Sequence, residues 1–218
     1  MPKRQFYDYE GKLILIRYEP KRCIHAEECV RGLPGVFERD RRPWIDADQG
    51  SPQDVVDVVS RCPTGALQVE RRDGGPTEAE PAQNTARVLA DGPVYLEGRL
   101  QLQLAGGGVG PERRVALCRC GSSQNKPFCD NSHLQAGFSD SGVLGVASMA
   151  PISEETGDLL GLSTVPNGPV LFKGPLEIFG ADDGDSQSGS KGALCRCGAS
   201  SNKPYCDGSY VAAGFEAD

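Results

Sequence analysis

One phrase of this sequence occurs twice and restricts the fold more than anything else in the chain: CRCGSSQNKPFCDNSH at residues 118–133 returns as CRCGASSNKPYCDGSY at residues 195–210. A segment so dense in cysteine, glycine and proline has neither helical nor strand periodicity, so its order must come from something bound rather than from apolar burial. The internal repeat extends on both sides of it. DGPVYLEGRLQL, from Asp91, matches NGPVLFKGPLEI, from Asn167; RVALCRCG, from Arg114, matches KGALCRCG, from Lys191; and both copies close with AGF, at 136–138 and 213–215. Each copy therefore reads as a β-ribbon followed by a Gly-rich cysteine loop.

The nine cysteines fall into three sets of three: Cys23, Cys29 and Cys62; Cys118, Cys120 and Cys129; Cys195, Cys197 and Cys206. An odd count with no export signal argues against a disulfide framework. Three thiolates plus one further donor is what metal and iron–sulfur sites use. Composition agrees, because 38% hydrophobic residues with 28 Gly and 16 Pro is lean for one large core and favours small modules held by something else. The net charge of −7 excludes the basic surface that nucleic acid or an anionic membrane requires. No apolar run approaches the roughly 20 residues of a membrane span. The start, MPKRQFYDYEGK, lacks the apolar stretch of a signal peptide. The chain is thus expected to be soluble and cytoplasmic, with no nucleic-acid partner.

The front of the chain has its own pattern. KLILIRY alternates well enough for a strand, and SPQDVVDVVSRC signals a helix with Ser51 as cap, Pro52 in the first turn and Asp54 at the capping-box position. Val55, Val58, Val59 and Cys62 then share a face, Pro63 ends the helix, and ALQVE reads as a second strand. The expected divisions are a first domain at 1–70, a linker at 71–88, the two repeats at 89–140 and 166–218, and a connecting segment at 141–165 that adds a strand or simply bridges the copies.

In the repeated loop, Cys118 and Cys120 are close enough along an extended chain to chelate one metal, while Cys129 and His133, four apart, fall on one face of a helical turn. That supplies two donors to each of two metals, which suits a two-iron rhomb as well as a single tetrahedral ion. Zinc is the alternative, although its ligand pairs are usually spaced more widely than Cys-x-Cys.

The motif C-R-C-G-x-S-x-N-K-P-F/Y-C-D-x-S-H resembles that of the CDGSH-type iron–sulfur proteins, the NEET family, over some sixteen residues in each copy. The resemblance implies a 2Fe-2S cluster with Cys118 and Cys120 on one iron and Cys129 and His133 on the other. A second 2Fe-2S cluster would have Cys195 and Cys197 on one iron and Cys206 on the other. Members of that family build a β-cap over two clusters, as a homodimer or from two motifs in one chain, so a monomer with paired internal repeats is expected. Asn131 stands where the family has Gly, a mild departure because Asn tolerates left-handed backbone. Tyr210 stands where the family has His. Either its phenolate ligates, which would lower the potential of that cluster by adding negative charge, or it points away. Arg119, Lys126, Arg196 and Lys203 are expected beside the anionic cluster, with ordinary solvated charge as the alternative for the two arginines, and Asp130 and Asp207 as caps of the following turn.

Cys23-I-H-A-E-E-Cys29 with Cys62-Pro63 resembles a bacterial ferredoxin motif in which Ala26 replaces the second cysteine and Leu33 the fourth. The likeness to divergent mono-cluster ferredoxins covers about residues 11–70. It implies a 3Fe-4S cluster, the missing thiolate being the one that holds a fourth iron; the alternative, 4Fe-4S, needs another donor. His25 is read as a surface histidine near the cluster and Trp44 as a packing residue.

The fold expected is α+β: a small N-terminal ferredoxin-like domain, then a β-rich module of two CDGSH repeats, each a β-cap with a cluster-binding loop, paired as an intramolecular pseudo-dimer. With every cysteine assigned, and neither GxGxxG nor P-loop present, no enzyme site can be assembled. One-electron transfer to a redox protein partner with a basic docking face is the function expected. Cluster storage or delivery, redox sensing and a zinc-stabilised interaction module are the alternatives.

Overall fold

The computed structural model describes residues 5–104, 107–153, 156–182 and 185–217, and the chain divides into two compact units, Met1–Glu80 and Pro81–Asp218. In the first unit β1 (Tyr7–Glu10), β2 (Ile14–Tyr18) and β3 (Leu67–Arg71) form an antiparallel sheet in that order. A short helix α1 (Glu28–Gly32) carries Cys29, and α2 (Pro52–Ser60) follows Ser51. The Ser51 hydroxyl accepts from the Asp54 amide at 3.1 Å and donates to the Asp54 carboxylate at 2.7 Å, so one side chain satisfies an orphan donor at the helix start. Val55, Val58 and Val59 are buried as the pattern predicts, and Val56 with them, against Ile14, Ile16, Phe37, Ile45 and Leu67. Strand β1 is the addition that the sequence reading lacks: YDYE is polar because it is a largely exposed edge paired only to β2.

The second unit is strand-rich. Its elements are β4 (Thr85–Val88), β5 (Val94–Leu104), β6 (Gly107–Leu117), a one-turn helix α3 (Ser132–Gln135), β7 (Met149–Ala150), β8 (Leu160–Thr164), β9 (Val170–Phe179) and β10 (Ser186–Leu194). β5 with β6, and β9 with β10, are the antiparallel ribbons of the two copies. Strands β4 and β8 lie in the stretches read from sequence as linker and connector, and they determine how the copies join. β4 pairs antiparallel with β5 of its own copy and parallel with β9 of the other; β8 pairs antiparallel with its own β9 and parallel with β5. The four strands thus close a cycle, β4-β5-β8-β9.

Two glycines make the cycle possible. β5 changes partner from β4 to β8 after Glu97, at Gly98 (φ 155°), and β9 changes from β8 to β4 after Lys173, at Gly174 (φ 121°). A Cβ at Gly98 would collide with Asn84, and one at Gly174 with the Leu159 carbonyl. Only glycine allows both the bend and the close approach. Asn84 sits in this gap: its amide donates to the carbonyls of Asp158 (2.8 Å) and Pro175 (2.9 Å), and its oxygen accepts from the Arg99 amide (2.8 Å). Inside the cycle Leu96, Leu100, Leu102, Val115, Leu160, Phe172, Leu176 and Ile178 make one core drawn from both copies. At roughly 1.5–3 kcal/mol for each large apolar side chain removed from water, that shared core is what joins the repeats. Among the described residues, no helix is long and apolar enough to cross a membrane.

Candidate metal centres

In each copy the cysteine loop folds back on the ribbon that precedes it. The Cys118 amide donates to the Pro127 carbonyl and the Cys129 amide to the Ala116 carbonyl; Cys195 with Pro204 and Cys206 with Ala193 repeat this at 2.8 and 2.9 Å. Gly121 (φ 80°) and Gly198 (φ 83°) make the reversal. The remaining invariants of the phrase hold the loop in shape. Ser123 and Ser200 hydroxyls donate to the carbonyls of Phe128 and Tyr205 at 2.7 and 2.6 Å. The ammonium groups of Lys126 and Lys203 donate to the carbonyls of Ser123 and Ser200. Asp130 accepts from the amides of Gln124 (2.7 Å) and Ser132 (3.0 Å), and Asp207 from those of Ser201 (2.8 Å) and Ser209 (3.0 Å), which is the capping role expected of them.

The arginines correct the expectation. Arg119 and Arg196 are 2% and 1% exposed, so neither is a solvated charge. Arg119 donates to the carbonyls of Gly92 (2.8 Å) and Leu89 (2.5 Å), and Arg196 to those of Gly168 (2.6 Å) and Val165 (2.7 Å). Each guanidinium lies 5.4 Å from a ring centroid, Phe138 for Arg119 and Phe215 for Arg196. This accounts for the repeated AGF: its Phe covers the arginine that ties the loop to the ribbon. Arg119 also meets the Asp140 carboxylate at 2.6 Å; the equivalent position of the second copy is Ala217.

The donors come together in pairs. Cys118 Sγ and Cys120 Sγ are 3.6 Å apart, Cys195 Sγ and Cys197 Sγ 3.6 Å, and Cys129 Sγ and His133 Nδ1 3.5 Å. A tetrahedral metal with bonds of about 2.3 Å to sulfur and about 2.0 Å to nitrogen separates two donors by roughly 3.7 Å for S/S and roughly 3.5 Å for S/N. Each pair therefore has the separation of two donors on one tetrahedral metal. Among the described residues no group of three or more His, Cys, Asp or Glu side chains is gathered as a single ion would require. The residues present fit a group that takes two protein donors at each of two metals.

Cys129 and His133 do not share a helical turn as predicted. α3 begins at Ser132, after a left-handed reversal at Asn131 (φ 71°), and it is this reversal that brings His133 back to Cys129. In the second copy Gly208 (φ 88°) makes the reversal, and a turn replaces the helix. Cys206 and Tyr210 are half-buried there, whereas Cys129 and His133 are buried. Among the described residues no hydrogen bond joins Tyr210 to Cys206.

Electrostatics within the first pair are strongly coupled. The contact between the two sulfurs, with burial, holds Cys118 up, while the same contact pulls Cys120 down to about 6. Burial pushes Cys129 up to about 11, and raises Cys195 and Cys206 as well. Backbone amides of Ser122, Asn131 and Ala199 lie 3.4 Å from Cys120, Cys129 and Cys197 Sγ, where they favour thiolate. The two loops also touch each other: a Cβ on Gly121 would fall on the Cys197 carbonyl oxygen, and one on Gly198 would lie 2.7 Å from that of Cys120.

The first unit holds a different kind of site. Cys23, Cys29 and Cys62 line a cavity of about 340 Å³ together with Tyr18, His25 and Ala26. At about 30 Å³ per water it has the room of roughly ten waters, far more than one ion needs. The cavity opens to solvent past the exposed His25 and Ala26, and three cysteines around a space of that size fit a polynuclear group. Ala26, at the place of the absent cysteine, is part of the wall. His25 (φ 54°) is exposed, with Nδ1 3.9 Å from Cys23 Sγ. Burial and the neighbouring Cys62 and Cys23 push Cys29 up to about 11. Trp44 packs edge-on against Tyr18 (5.0 Å) and Tyr9 (6.4 Å), the packing role predicted for it. Tyr18 and Thr64 escaped the sequence reading, having no spacing that links them to the cysteines.

Comparison with known proteins gives the same division. Residues 9–72 match a family described as divergent 4Fe-4S mono-cluster, and residues 91–134 and 167–210 both match one described as iron-binding zinc finger, CDGSH type. The chain is 36% identical over 64 residues to the uncharacterized protein YjdI of Escherichia coli K12, covering 29% of this chain and 84% of that protein. YjdI of Escherichia coli O157:H7 matches to the same extent. No solved structure matches the chain.

Proposed function

Because the chain is an iron–sulfur protein that belongs to the divergent 4Fe-4S mono-cluster family through residues 9–72 and to the CDGSH-type iron-binding family through residues 91–134 and 167–210, we propose that it is a three-cluster, one-electron carrier rather than an enzyme. Cys118, Cys120, Cys129 and His133 hold one 2Fe-2S cluster. Cys195, Cys197 and Cys206 hold the second, with Tyr210 turning in as its fourth donor. Cys23, Cys29 and Cys62 hold the third. The observation that carries the reading is the pairing of donors at the separation of a single tetrahedral metal, 3.5–3.6 Å in three pairs. The clusters supply the one-electron chemistry; the chain orients them, excludes water and donates amide hydrogen bonds to their sulfurs. For the third cluster, Ala26 in the cavity wall favours 3Fe-4S, and the family description favours 4Fe-4S.

The closed cycle of strands supports an intramolecular pseudo-dimer, with both repeats in one chain. The net charge of −7 supports a redox partner that docks through a basic face. Iron and inorganic sulfide analysis of anaerobically purified protein, with spectra in both redox states, tests the whole reading. About seven irons and eight sulfides per chain are expected with 3Fe-4S, and about eight of each with 4Fe-4S. Zinc without sulfide would overturn it. A second reading, cluster delivery, is favoured by the half-buried Cys206 and Tyr210; transfer of one cluster of the three to an apo-acceptor would support it.

A further inference from the structure

Cys62 and Cys23 each have a hydroxyl at hand. Thr64 Oγ1 lies 3.5 Å from Cys62 Sγ. The same oxygen accepts from the Ala66 amide at 3.2 Å, so its own proton is left to point at the sulfur. Thr64 is 3% exposed, and its carbonyl accepts from the Arg22 guanidinium, so no water competes for the hydroxyl and the residue is held from two sides. Tyr18 ends β2, opposite Leu67 of β3, and its ring is fixed edge-on against Trp44. It lines the cavity beside Cys23. A phenol O–H is the donor that it can offer there, since a thiolate sulfur only accepts.

We infer that Tyr18 and Thr64 are positioning residues that set the reduction potential of the N-terminal cluster, by donating O–H···S hydrogen bonds to two of its three thiolates. This rests on the reading that Cys23, Cys29 and Cys62 hold a cluster. A proton placed on a ligand sulfur withdraws negative charge from the metal and favours the reduced form, so both hydroxyls move the potential upward. They act on one cluster alone, because the sulfurs they flank are those of Cys62 and Cys23. In the first repeated loop Ser122, the second residue after Cys120, offers both its amide and its hydroxyl to that sulfur, whereas Ala199 offers Cys197 an amide and no hydroxyl.

Tyr18→Phe removes one hydroxyl and keeps the ring on Trp44; Thr64→Val removes the other at nearly constant shape; Thr64→Ser keeps it. Redox titration of the full, anaerobically purified chain, followed by electron paramagnetic resonance, reads the N-terminal cluster separately from the other two. The expected result is a lower midpoint for each deletion, a larger drop for the pair, wild-type behaviour for Thr64→Ser, and no movement of the other clusters. Unmoved midpoints with iron and sulfide content intact would overturn the inference. Should Thr64→Val fail to fold, Tyr18→Phe decides alone, since its ring packing is retained. Absence of the third cluster from the unaltered protein would instead defeat the reading beneath it, and that is seen before any variant is made.

Discussion

Substituting Gly121 by Ala should damage both cysteine loops, although the change lies in one. Gly121 is left-handed (φ 80°), and a Cβ there falls on the carbonyl oxygen of Cys197 in the other copy, with that residue's carbonyl carbon only 2.9 Å away. Left-handed backbone costs a non-glycine residue about 1–2 kcal/mol. Pushing two packed loops apart adds about 1–3 kcal/mol, the usual range for overpacking. Gly208→Ala separates the two contributions. Its φ of 88° carries the same backbone penalty, but nothing lies within 4 Å of the added carbon. Asn131, at the equivalent place in the first copy, already tolerates φ 71° with a side chain. The midpoint of thermal unfolding of the full chain, followed through loss of visible absorbance, should therefore drop by roughly 4–20 °C for Gly121→Ala and by only roughly 2–8 °C for Gly208→Ala, at about 2–4 °C per kcal/mol. Equal losses would refute the loop-to-loop contact and leave only the backbone penalty.

Tyr210→His should change the spectrum of one cluster and raise its potential; an unchanged spectrum would mean that the side chain at 210 never reaches the metal. In metal-free protein Cys120 ionises ahead of Cys118. Its pKa is depressed to about 6, so the thiolate is present above that pH and disappears as pH falls through it. Iodoacetamide at neutral pH should accordingly label Cys120 before Cys118, with a rate that collapses below about pH 6, as peptide mapping would read. Arg119→Met should destabilise the second unit by about 3–5 kcal/mol in denaturant unfolding, since it strands the carboxylate of Asp140, which is 2.6 Å from the guanidinium, and two hairpin carbonyls.

The two ribbons, the capped helix and the three cysteine sets were legible because each is a local pattern: period-two alternation, Ser-Pro-x-Asp, Cys-x-Cys. Strand β1 was missed because an exposed edge need not be apolar. β4 was missed, and β8 stood only as one of two readings of the connecting segment, because each is only four or five residues long and borrows its burial from strands of both copies. The paired donors were readable from the motif, but the way His133 returns to Cys129, through a left-handed Asn131 rather than along a helix, was not.

By itself the sequence determined that the nine cysteines fall in three sets, that two of them sit on repeated ribbons, and that a capped helix precedes the last cysteine of the first set. These follow from short-range rules, in which neighbours a few residues apart decide the local conformation. Tertiary structure alone decided that β5 and β9 change partners at Gly98 and Gly174, that the two cysteine loops meet at Gly121 and Gly198, that Arg119 and Arg196 tie the loops to the ribbons, and that Tyr18 and Thr64 face the sulfurs of Cys23 and Cys62. Each of these pairs residues far apart in the chain or without a periodic signal, and which groups meet is selected only when the cores close around them.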